Sequence, residues 1–314
     1  MLLLYNGEHL DSNFYYHSGC EVDHCFLLTG GKAKTLFVPK MNESLAKAHF
    51  RGKVVVYEDA LKSLAPYIKN KKVLADFRSI NALMAKRLSR FCRLKDHSPE
   101  LVAMRRAKRK DEVAKVAKAA GYTHQIMDSL DFSKARTELG LKKQILIATM
   151  ELGLEPAFEP IVSTDRNTAY PHSTPTSKKL GSLVMIDYGV KYQHYCSDIT
   201  RCFIRHGDRK KKEQYEQLRD VCHSLIDSLP DMKRGRDVAK ECESLMMRAG
   251  FPKMIHAPGH GVGLDIHELP SLRPKSVCPL AGTMMAIEPA FYLKGYGMRY
   301  EETVYFDGKK ARIL

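Results

Sequence analysis

Four acidic residues and one histidine in the C-terminal half constrain how this chain can fold, because each lies in an apolar or glycine-rich segment. A carboxylate in a buried strand is costly unless a charge partner or a metal ion compensates it. Four carboxylates and one imidazole form a ligand set for two divalent ions held close together, which can activate a bridging water for hydrolysis. The pattern therefore predicts a metal-dependent hydrolase. The five residues are Asp187, Asp198, His260, Glu288 and Glu301.

Two of the acidic residues are predicted to meet across a hairpin. Asp187 ends the apolar run Leu183–Ile186 and is followed by Tyr188-Gly189, which is typical of a buried strand. Asp198 lies eleven residues further on, in Ser-Asp-Ile-Thr-Arg. Two strands joined near Gly189–Tyr192 would bring both carboxylates to one place.

The histidine lies among glycines. His260 stands in His-Ala-Pro-Gly-His-Gly-Val-Gly, which predicts close backbone approach or positive φ and not a plain helix or strand. His267 follows seven residues later in His-Glu-Leu-Pro. Two histidines flanked by structure breakers favour a pocket built from loops.

The two glutamates lie in strand-like segments, 283–293 and 297–306, which flank Gly295 and Gly297. This arrangement predicts an antiparallel pair of strands. Because side chains alternate along a strand, only one of Glu301 and Glu302 is expected to point inward.

Taken together, the motifs resemble those of the pita-bread metallopeptidase family, most closely its prolidase and Xaa-Pro aminopeptidase branch. Their order and spacing match throughout residues 160–306, and a weaker resemblance begins near residue 100. The motifs are Ile186-Asp187-Tyr188-Gly189, Ser197-Asp198-Ile199-Thr200-Arg201, Gly259-His260-Gly261-Val262-Gly263-Leu264, His267-Glu268-Leu269-Pro270, Ile287-Glu288-Pro289 and Arg299-Tyr300-Glu301-Glu302-Thr303.

The resemblance implies a role for each ligand. Asp187 would chelate one metal, and Asp198 and Glu301 would bridge both. His260 and Glu288 would bind the other metal, with Glu288 also shuttling the proton of the metal-bound water. Manganese, cobalt, iron or zinc would suit such mixed oxygen and nitrogen ligands.

The resemblance also implies residues that act on the substrate without binding metal. His172, in Tyr-Pro-His, and His267 would donate to the substrate carbonyl or the tetrahedral intermediate. Arg299 would orient Glu301. Tyr300 stands where the family more often has isoleucine, which is expected to narrow the site slightly.

The expected fold is α/β (α+β), with a creatinase-N-type domain over residues 1–98 and a pita-bread catalytic domain over 99–314. Relatives are often dimers in which the small domain covers a partner's active site, so a homodimer acting on short peptides is implied. Strand signals at Cys25–Leu28 and Thr35–Val38 predict a hairpin in the first domain. Helical spacing in the second predicts helices at about 109–131, 134–152, 209–229 and 235–249.

Three functions are compatible with the motifs. The first is a peptidase that cleaves before proline, in dipeptides or at longer N-termini. The second is a methionine aminopeptidase on the same fold, which commonly has a longer insertion than the thirteen-residue step from Glu288 to Glu301. The third is a non-enzymatic protein or RNA binder, but such members usually lose ligands, and this chain keeps all five. The same argument excludes a creatinase-like hydrolase without metal.

Composition agrees with a cytoplasmic enzyme. No apolar run approaches the roughly 18 residues needed to span a membrane. The opening Met1–Tyr5 lacks a basic region, so no signal peptide is expected. Eight scattered cysteines without a Cys-x-x-Cys pair indicate reduced thiols.

The net charge is +15, and the densest basic runs are Arg105–Lys110 and Arg209–Lys212. Nucleic-acid binding is one interpretation. However, neither run contains an aromatic residue on which a base could stack. Two solvated helix starts are therefore the preferred interpretation, and no nucleic-acid partner is expected.

Overall fold

The computed structural model describes every residue except Lys32 and His206. The chain divides into two compact units, Met1–Arg105 and Arg106–Leu314. Residues Ser98–Met104, which begin at the expected domain boundary, form a helix of the first unit. Pro99 occupies the first turn of that helix, where a missing backbone N–H costs nothing. Within the described residues, no helix is both long enough and apolar enough to cross a membrane.

The first unit is a six-stranded mixed sheet with helices. Its strand order is β4-β3-β2-β1-β5-β6, and the predicted hairpin is confirmed as the antiparallel pair β2–β3. Adjacent residues of β1 enter different apolar clusters, Leu3 one and Leu4 the other, so both faces of the sheet are covered. The elements are β1 (Leu2–Asn6), α1 (Ser12–Ser18), β2 (Cys25–Gly30), β3 (Ala33–Pro39), α2 (Glu43–His49), β4 (Lys53–Tyr57), α3 (Ala60–Ile68), β5 (Lys72–Ala75), α4 (Ala82–Leu88), β6 (Arg93–Asp96) and α5 (Ser98–Met104).

Within its described residues, the second unit combines four α-helices with several small antiparallel sheets. Its two larger sheets have the orders β12-β9-β8 and β14-β13-β15-β18-β19. The elements are α6 (Lys110–Asp128), α7 (Glu138–Glu151), β7 (Glu155–Pro156), β8 (Ile161–Thr164), β9 (Leu183–Tyr188), β10 (Val190–Tyr192), β11 (Tyr195–Cys196), β12 (Ile199–Ile204), α8 (Arg209–Asp227), α9 (Gly235–Arg248), β13 (Gly259–Gly261), β14 (Glu268–Ser271), β15 (Thr283–Ile287), β16 (Ala290–Leu293), β17 (Tyr296–Arg299), β18 (Glu302–Phe306) and β19 (Ala311–Ile313).

The four predicted helices of this unit are confirmed, with ends set by local capping. Helix α7 begins four residues later than expected because Thr137 accepts a hydrogen bond from the Gly140 amide and caps it. Gly250, with a φ of 76°, stops α9 as predicted. The apolar faces of α6 and α7 pack on β8 and β9, and those of α8 and α9 pack in a cluster with strands of both large sheets.

One basic run differs from the expectation of a solvated helix start. Arg105 is only 2% exposed, and the side chains of Lys108 and Glu268 form an ion pair of 2.6 Å in which each is only 1% exposed. The Lys108 amide also donates to the Gly282 carbonyl at 2.7 Å, which ties the run to the strand β15 region. The second run does begin a helix, with Arg209, Lys210 and Lys212 exposed.

Candidate active site

The two aspartates are brought together by the pairing of β9 with β12. Asp187 lies opposite Thr200 in this antiparallel ladder, and Asp198 immediately precedes β12. The predicted hairpin is thus confirmed, but its reversal is at Gln193 and His194, which have positive φ, and not at Gly189–Tyr192. Gly189 is needed for a different reason, because a Cβ there would lie 1.8 Å from the Ser197 carbonyl oxygen.

The two glutamates lie at breaks between strands and not inside them. Glu288 falls between β15 and β16, and Glu301 falls between β17 and β18. The predicted antiparallel pairing is confirmed twice, since β15 pairs with β18 and β16 with β17. Because both glutamates lie outside the paired strands, the alternation of side chains along a strand does not fix their direction. The apolar pattern of the sequence runs through both positions and gives no sign of these breaks. Both side chains line one cavity.

His260 lies in the short strand β13, between β14 and β15. The sequence excluded a plain strand, and the strand is indeed irregular: its pairing with β14 shifts register at His260, and Gly259 has a φ of 150°. A Cβ at Gly261 would lie 2.2 Å from the Leu269 carbonyl oxygen, so the predicted close backbone approach is present. The imidazole Nδ1 is 3.1 Å from the Gly261 carbonyl oxygen.

The five predicted ligand residues come from different elements of the fold. All of them line the same cavity, which has a volume of about 710 Å³. Asp198, His260 and Glu301 each offer an atom within 4.8 Å of the others. The His260 Nε2 atom lies 3.4 Å from Asp198 Oδ2. Asp187 and Glu288 join the group through a shared arginine, Arg299.

Within the part of the chain that the structure describes, carboxylates outnumber the basic side chains of this cluster. Burial raises the pKa of Asp198, and repulsion from Asp187 and Glu288 raises it further. Burial and the Asp198 carboxylate likewise raise the pKa of Glu301. Among the described residues, no donor reaches the buried Oδ1 atoms of Asp187 and Asp198. Buried carboxylate oxygens without donors are the natural ligands of a hard cation, so the cluster fits a divalent metal.

Arg299 is the main cation inside the cluster. Its Nη2 donates to Asp187 Oδ2 at 2.5 Å, and its Nε lies 4.0 Å from Glu288 Oε2. It reaches Glu301 through Thr200: Arg299 Nε donates to Thr200 Oγ1 at 2.8 Å, and that hydroxyl donates to Glu301 Oε2 at 2.5 Å. The side chain expected to orient Glu301 therefore does so through a relay, and its direct ion pair is with Asp187.

The two histidines expected to act on substrate line the same cavity, and both are exposed. The rings of His267 and His260 have centroids 4.2 Å apart. Partial burial lowers the pKa of His267, and the neighbouring His260 and His172 lower it further. A neutral His267 can donate one hydrogen bond from its ring at neutral pH.

Several supporting residues were not identified from the sequence. Thr303 Oγ1 accepts from the Asp198 amide at 3.0 Å and donates to the Asp198 carbonyl at 2.8 Å. Tyr292 accepts from Arg299 Nη1 at 3.0 Å. Thr200 and Thr303 lie inside quoted motifs, so their position was visible although their contacts were not. Tyr292 lies outside the motifs and gave no signal.

Tyr300 does not narrow the cavity as expected. Its hydroxyl donates to Glu302 Oε1 at 2.7 Å, and its ring lies against the guanidinium of Arg201 at 4.6 Å. Glu302 is buried too, at 3% exposed, because Arg201 pairs with it at 2.7 Å. Both members of the Glu301-Glu302 pair are thus buried, one towards the cavity and one towards Arg201.

Comparison with known proteins gives consistent results. A protein of Methanocaldococcus jannaschii described as an uncharacterised peptidase is 33% identical to this chain over 220 residues. The matched region covers 65% of this chain and 62% of that protein, which is less than two thirds of the relative's length. The Xaa-Pro dipeptidase of Pyrococcus furiosus is 26% identical over 316 residues, covering 96% of this chain and 90% of that protein.

The crystal structure of X-Pro aminopeptidase from Thermotoga maritima has a similar fold, with a TM-score of 0.90 at 21% identity over 99% of this chain and 94% of that one. The fold is therefore the pita-bread fold expected from the sequence. The model of metallopeptidase family M24 matches residues 104–307, which include all five predicted ligands. That match spans well over half of the molecule, and the chain belongs to metallopeptidase family M24.

Proposed function

We propose that this metallopeptidase hydrolyses the bond before proline, in Xaa-Pro dipeptides or at the N-terminus of longer Xaa-Pro peptides. The observation that carries the proposal is the convergence of four carboxylates and His260 in one cavity, where the Oδ1 atoms of Asp187 and Asp198 have no donor among the described residues. The Pyrococcus furiosus relative, which this chain matches over nearly its whole length, is an Xaa-Pro dipeptidase.

Two divalent ions are the cofactor that this set would hold. Asp187 would chelate one ion, His260 and Glu288 the other, and Asp198 and Glu301 would bridge them. Bound ions would polarise the scissile carbonyl and activate a water for attack. Manganese, cobalt, iron and zinc all suit these ligands, and the ligand types alone do not choose among them.

The protein's own groups would carry protons and hold the substrate. Glu288 lies at the edge of the carboxylate cluster and would take the proton of the attacking water and pass it to the leaving imino nitrogen. His267 and His172, on the exposed side of the same cavity, would donate to the carbonyl oxygen as negative charge develops there. Arg299 would position Asp187 by direct hydrogen bonding and, through Thr200, hold Glu301 in place.

Cleavage before proline makes a specific demand on the site. An Xaa-Pro bond has no amide hydrogen, so a peptidase that needs that donor handles it poorly. A site that works on the carbonyl oxygen and the free amine avoids this demand. Phe158, Ile161 and Ile266 line the cavity and would form an apolar cradle for the ring. Dipeptides are the preferred substrate of this proposal.

A hydrolysis panel tests the proposal. The purified protein is loaded in turn with manganese, cobalt, iron and zinc and assayed on Ala-Pro, Ala-Pro-Gly and Met-Ala-Gly, with Ala-Ala and Ala-Ala-Gly as the analogues that lack proline. We expect both proline peptides to be cut far faster than Ala-Ala analogues. Rapid cleavage of Met-Ala-Gly without cleavage of any Xaa-Pro peptide would assign the chain to the methionine aminopeptidase branch. No cleavage with any metal would favour a non-enzymatic binder.

The remaining proposals concern context. We infer that the unit Met1–Arg105 is of the creatinase-N type and that the protein forms a homodimer in the cytoplasm. All eight cysteines are free and seven are buried, which supports a reducing compartment. Sedimentation at several protein concentrations tests the dimer.

A further inference from the structure

The ion pair of Lys108 and Glu268 borders the active-site cavity and has no part in the proposed reaction so far. The Lys108 Nζ atom lies 2.6 Å from Glu268 Oε2, and each side chain is only 1% exposed. Glu268 lines the cavity, whereas Lys108 is not part of its wall. Burial removes both charges from water, and their attraction often does no more than offset that cost. Stability alone therefore does not account for this pair.

Glu268 fastens the loop 261–267 that precedes it. Its Oε1 atom accepts a hydrogen bond from the Asp265 amide at 3.1 Å, while Oε2 faces Lys108. Gly263 lies directly against the pair, since a Cβ at that position would be 2.5 Å from Glu268 Oε2 and 2.7 Å from Lys108 Nζ. The loop backbone is therefore in contact with both charged groups.

Lys108 is itself anchored to the strand β15. Its amide donates to the Gly282 carbonyl at 2.7 Å. The preceding residue, Ala107, forms an antiparallel bridge with Thr283, the first residue of β15. Strand β15 also pairs with β13, which carries His260. The lysine thus extends from a fixed strand of the catalytic sheet to the loop.

The position of His267 depends on this loop. His267 is exposed, so the backbone that carries it largely determines where its ring lies. The next residue, Glu268, begins β14 and pairs with Gly261, beside His260. The rings of the two histidines have centroids 4.2 Å apart. A shift of Glu268 would therefore move His267 relative to the metal-ligand cluster.

We propose that Lys108 is a positioning residue for this enzyme. By holding Glu268 it fixes the loop 261–267 and places His267 as a donor to the substrate carbonyl. The inference rests on the proposed cleavage before proline and on the proposed role of His267 in it. Because Lys108 acts through another residue, its loss should lower kcat and leave metal binding largely intact.

The first test is the kinetics of Lys108→Met on Ala-Pro. We expect kcat to fall by about 100-fold, the scale for a misplacement of about 1 Å in an active site, with little change in KM or metal content. Lys110→Met, at an exposed position of the same basic run, is the matched control and should change nothing. The double variant Lys108→Met/Glu268→Gln should show the same fall in kcat. It leaves no buried carboxylate unpaired, so it replaces the single variant if that one does not fold.

A double-mutant cycle separates positioning of His267 from a general effect on the fold. Lys108→Met is measured again in the His267→Ala background. If Lys108 acts through His267, the second substitution should add little to the loss caused by the first. A loss by the same factor in both backgrounds would overturn the proposal, and so would an unchanged kcat in Lys108→Met.

Amide hydrogen exchange tests the hold on the loop without turnover. In the metal-loaded variants, exchange should become faster over 261–268 and stay unchanged in α9. If no Xaa-Pro peptide is cut but exchange rises only in this loop, the proposed reaction is wrong and the hold of Lys108 on the loop stands. Unchanged exchange over 261–268 would overturn that hold whatever the peptide panel shows.

Discussion

At the residue scale, the backbone of Asp198 and its side chain have different partners. Thr303 fixes its backbone on both sides, through the amide and the carbonyl. Its side-chain Oδ1 atom is buried and reached by no donor among the described residues. The backbone is thus restrained by the protein, while the carboxylate is left available for a cation.

Asp198→Asn is expected to lose at least one metal per chain and nearly all turnover. An amide presents only one oxygen and no charge, so it cannot bridge two ions in the same way. Elemental analysis and the rate on Ala-Pro measure the two effects. Asp220→Asn, at an exposed position on α8, is the control and should change neither. Full turnover of the Asp198 variant with normal metal content would contradict the bridging role.

His267→Ala is expected to keep both metals and lose turnover by a factor of about 100–1000, the scale for removing one donor to a developing oxyanion. The reason is that His267 lies beside His260 but is proposed as a donor and not as a ligand. Metal content and kcat are measured on the same preparation, with the exposed His49→Ala as control. A fall in metal content in step with activity would make His267 a ligand.

The residues of the candidate ligand set could be singled out from the sequence at this scale, but their hydrogen-bond and ion-pair partners could not. Each predicted residue stands in a distinctive motif, so its presence was readable. The direction of a side chain depends on neighbours distant in sequence. Tyr300 was expected in the cavity, yet it points to Glu302 because Arg201 from β12 offers its ring a cation. Arg299 pairs directly with Asp187, 112 residues away.

At the element scale, the segment that carries His172 is held by one buried side chain of α7. Glu138 is 0% exposed and accepts four hydrogen bonds. The donors are the Thr164 amide at 2.8 Å, the Asn167 side chain at 2.9 Å, the Thr176 amide at 2.8 Å and the Thr176 hydroxyl at 2.6 Å. These contacts fix both ends of the stretch between residues 164 and 176.

Glu138→Ala is expected to lower the free energy of unfolding by roughly 2–4 kcal/mol, because it leaves buried backbone N–H groups without acceptors. We expect kcat to fall while metal content is kept, since His172 is placed by this stretch but the ligands are not. Urea unfolding, kcat and elemental analysis are the measurements. Glu151→Ala, at the exposed end of the same helix, is the control. An unchanged unfolding midpoint would show that the stretch is held in another way.

Most helices and strands could be predicted because their periodicity is local. What escaped prediction was how strands are shared among sheets. The segments 283–293 and 297–306 look like one hairpin in sequence, yet each breaks into two strands that belong to different sheets. An apolar pattern records burial, and both halves of each segment are buried, so the breaks at Glu288 and Glu301 leave no trace in it.

For the whole molecule, the clustered carboxylates connect stability to metal. Repulsion and burial both raise the pKa values of Asp198 and Glu301 in the protein without metal. A cation that binds only the folded state stabilises it by about 2.7 kcal/mol when its concentration is about 100 times Kd. A bound metal is therefore expected to stabilise the folded state as well as to support the reaction.

Removal of metal with excess chelator is accordingly expected to abolish turnover and lower the melting temperature. Re-addition of manganese or cobalt should restore both, with a melting temperature that rises with metal concentration. Differential scanning calorimetry at fixed pH and ionic strength measures the effect, and magnesium at the same concentration controls for ionic strength. Turnover that persists in chelator, with no metal by elemental analysis, would contradict the two-metal proposal.

The buried ion pair between Lys108 and Glu268 has a practical consequence for shortening the protein. The first regular element of the catalytic unit is α6, which begins at Lys110. A shortened protein that starts at Lys110 therefore keeps all helices and strands of this unit. That cut would nevertheless delete Lys108, whose side chain lies 2.6 Å from Glu268, next to His267. A buried carboxylate that loses its cation costs about 3–5 kcal/mol. The useful N-terminal limit of a shortened enzyme is therefore set by one lysine and not by the first helix.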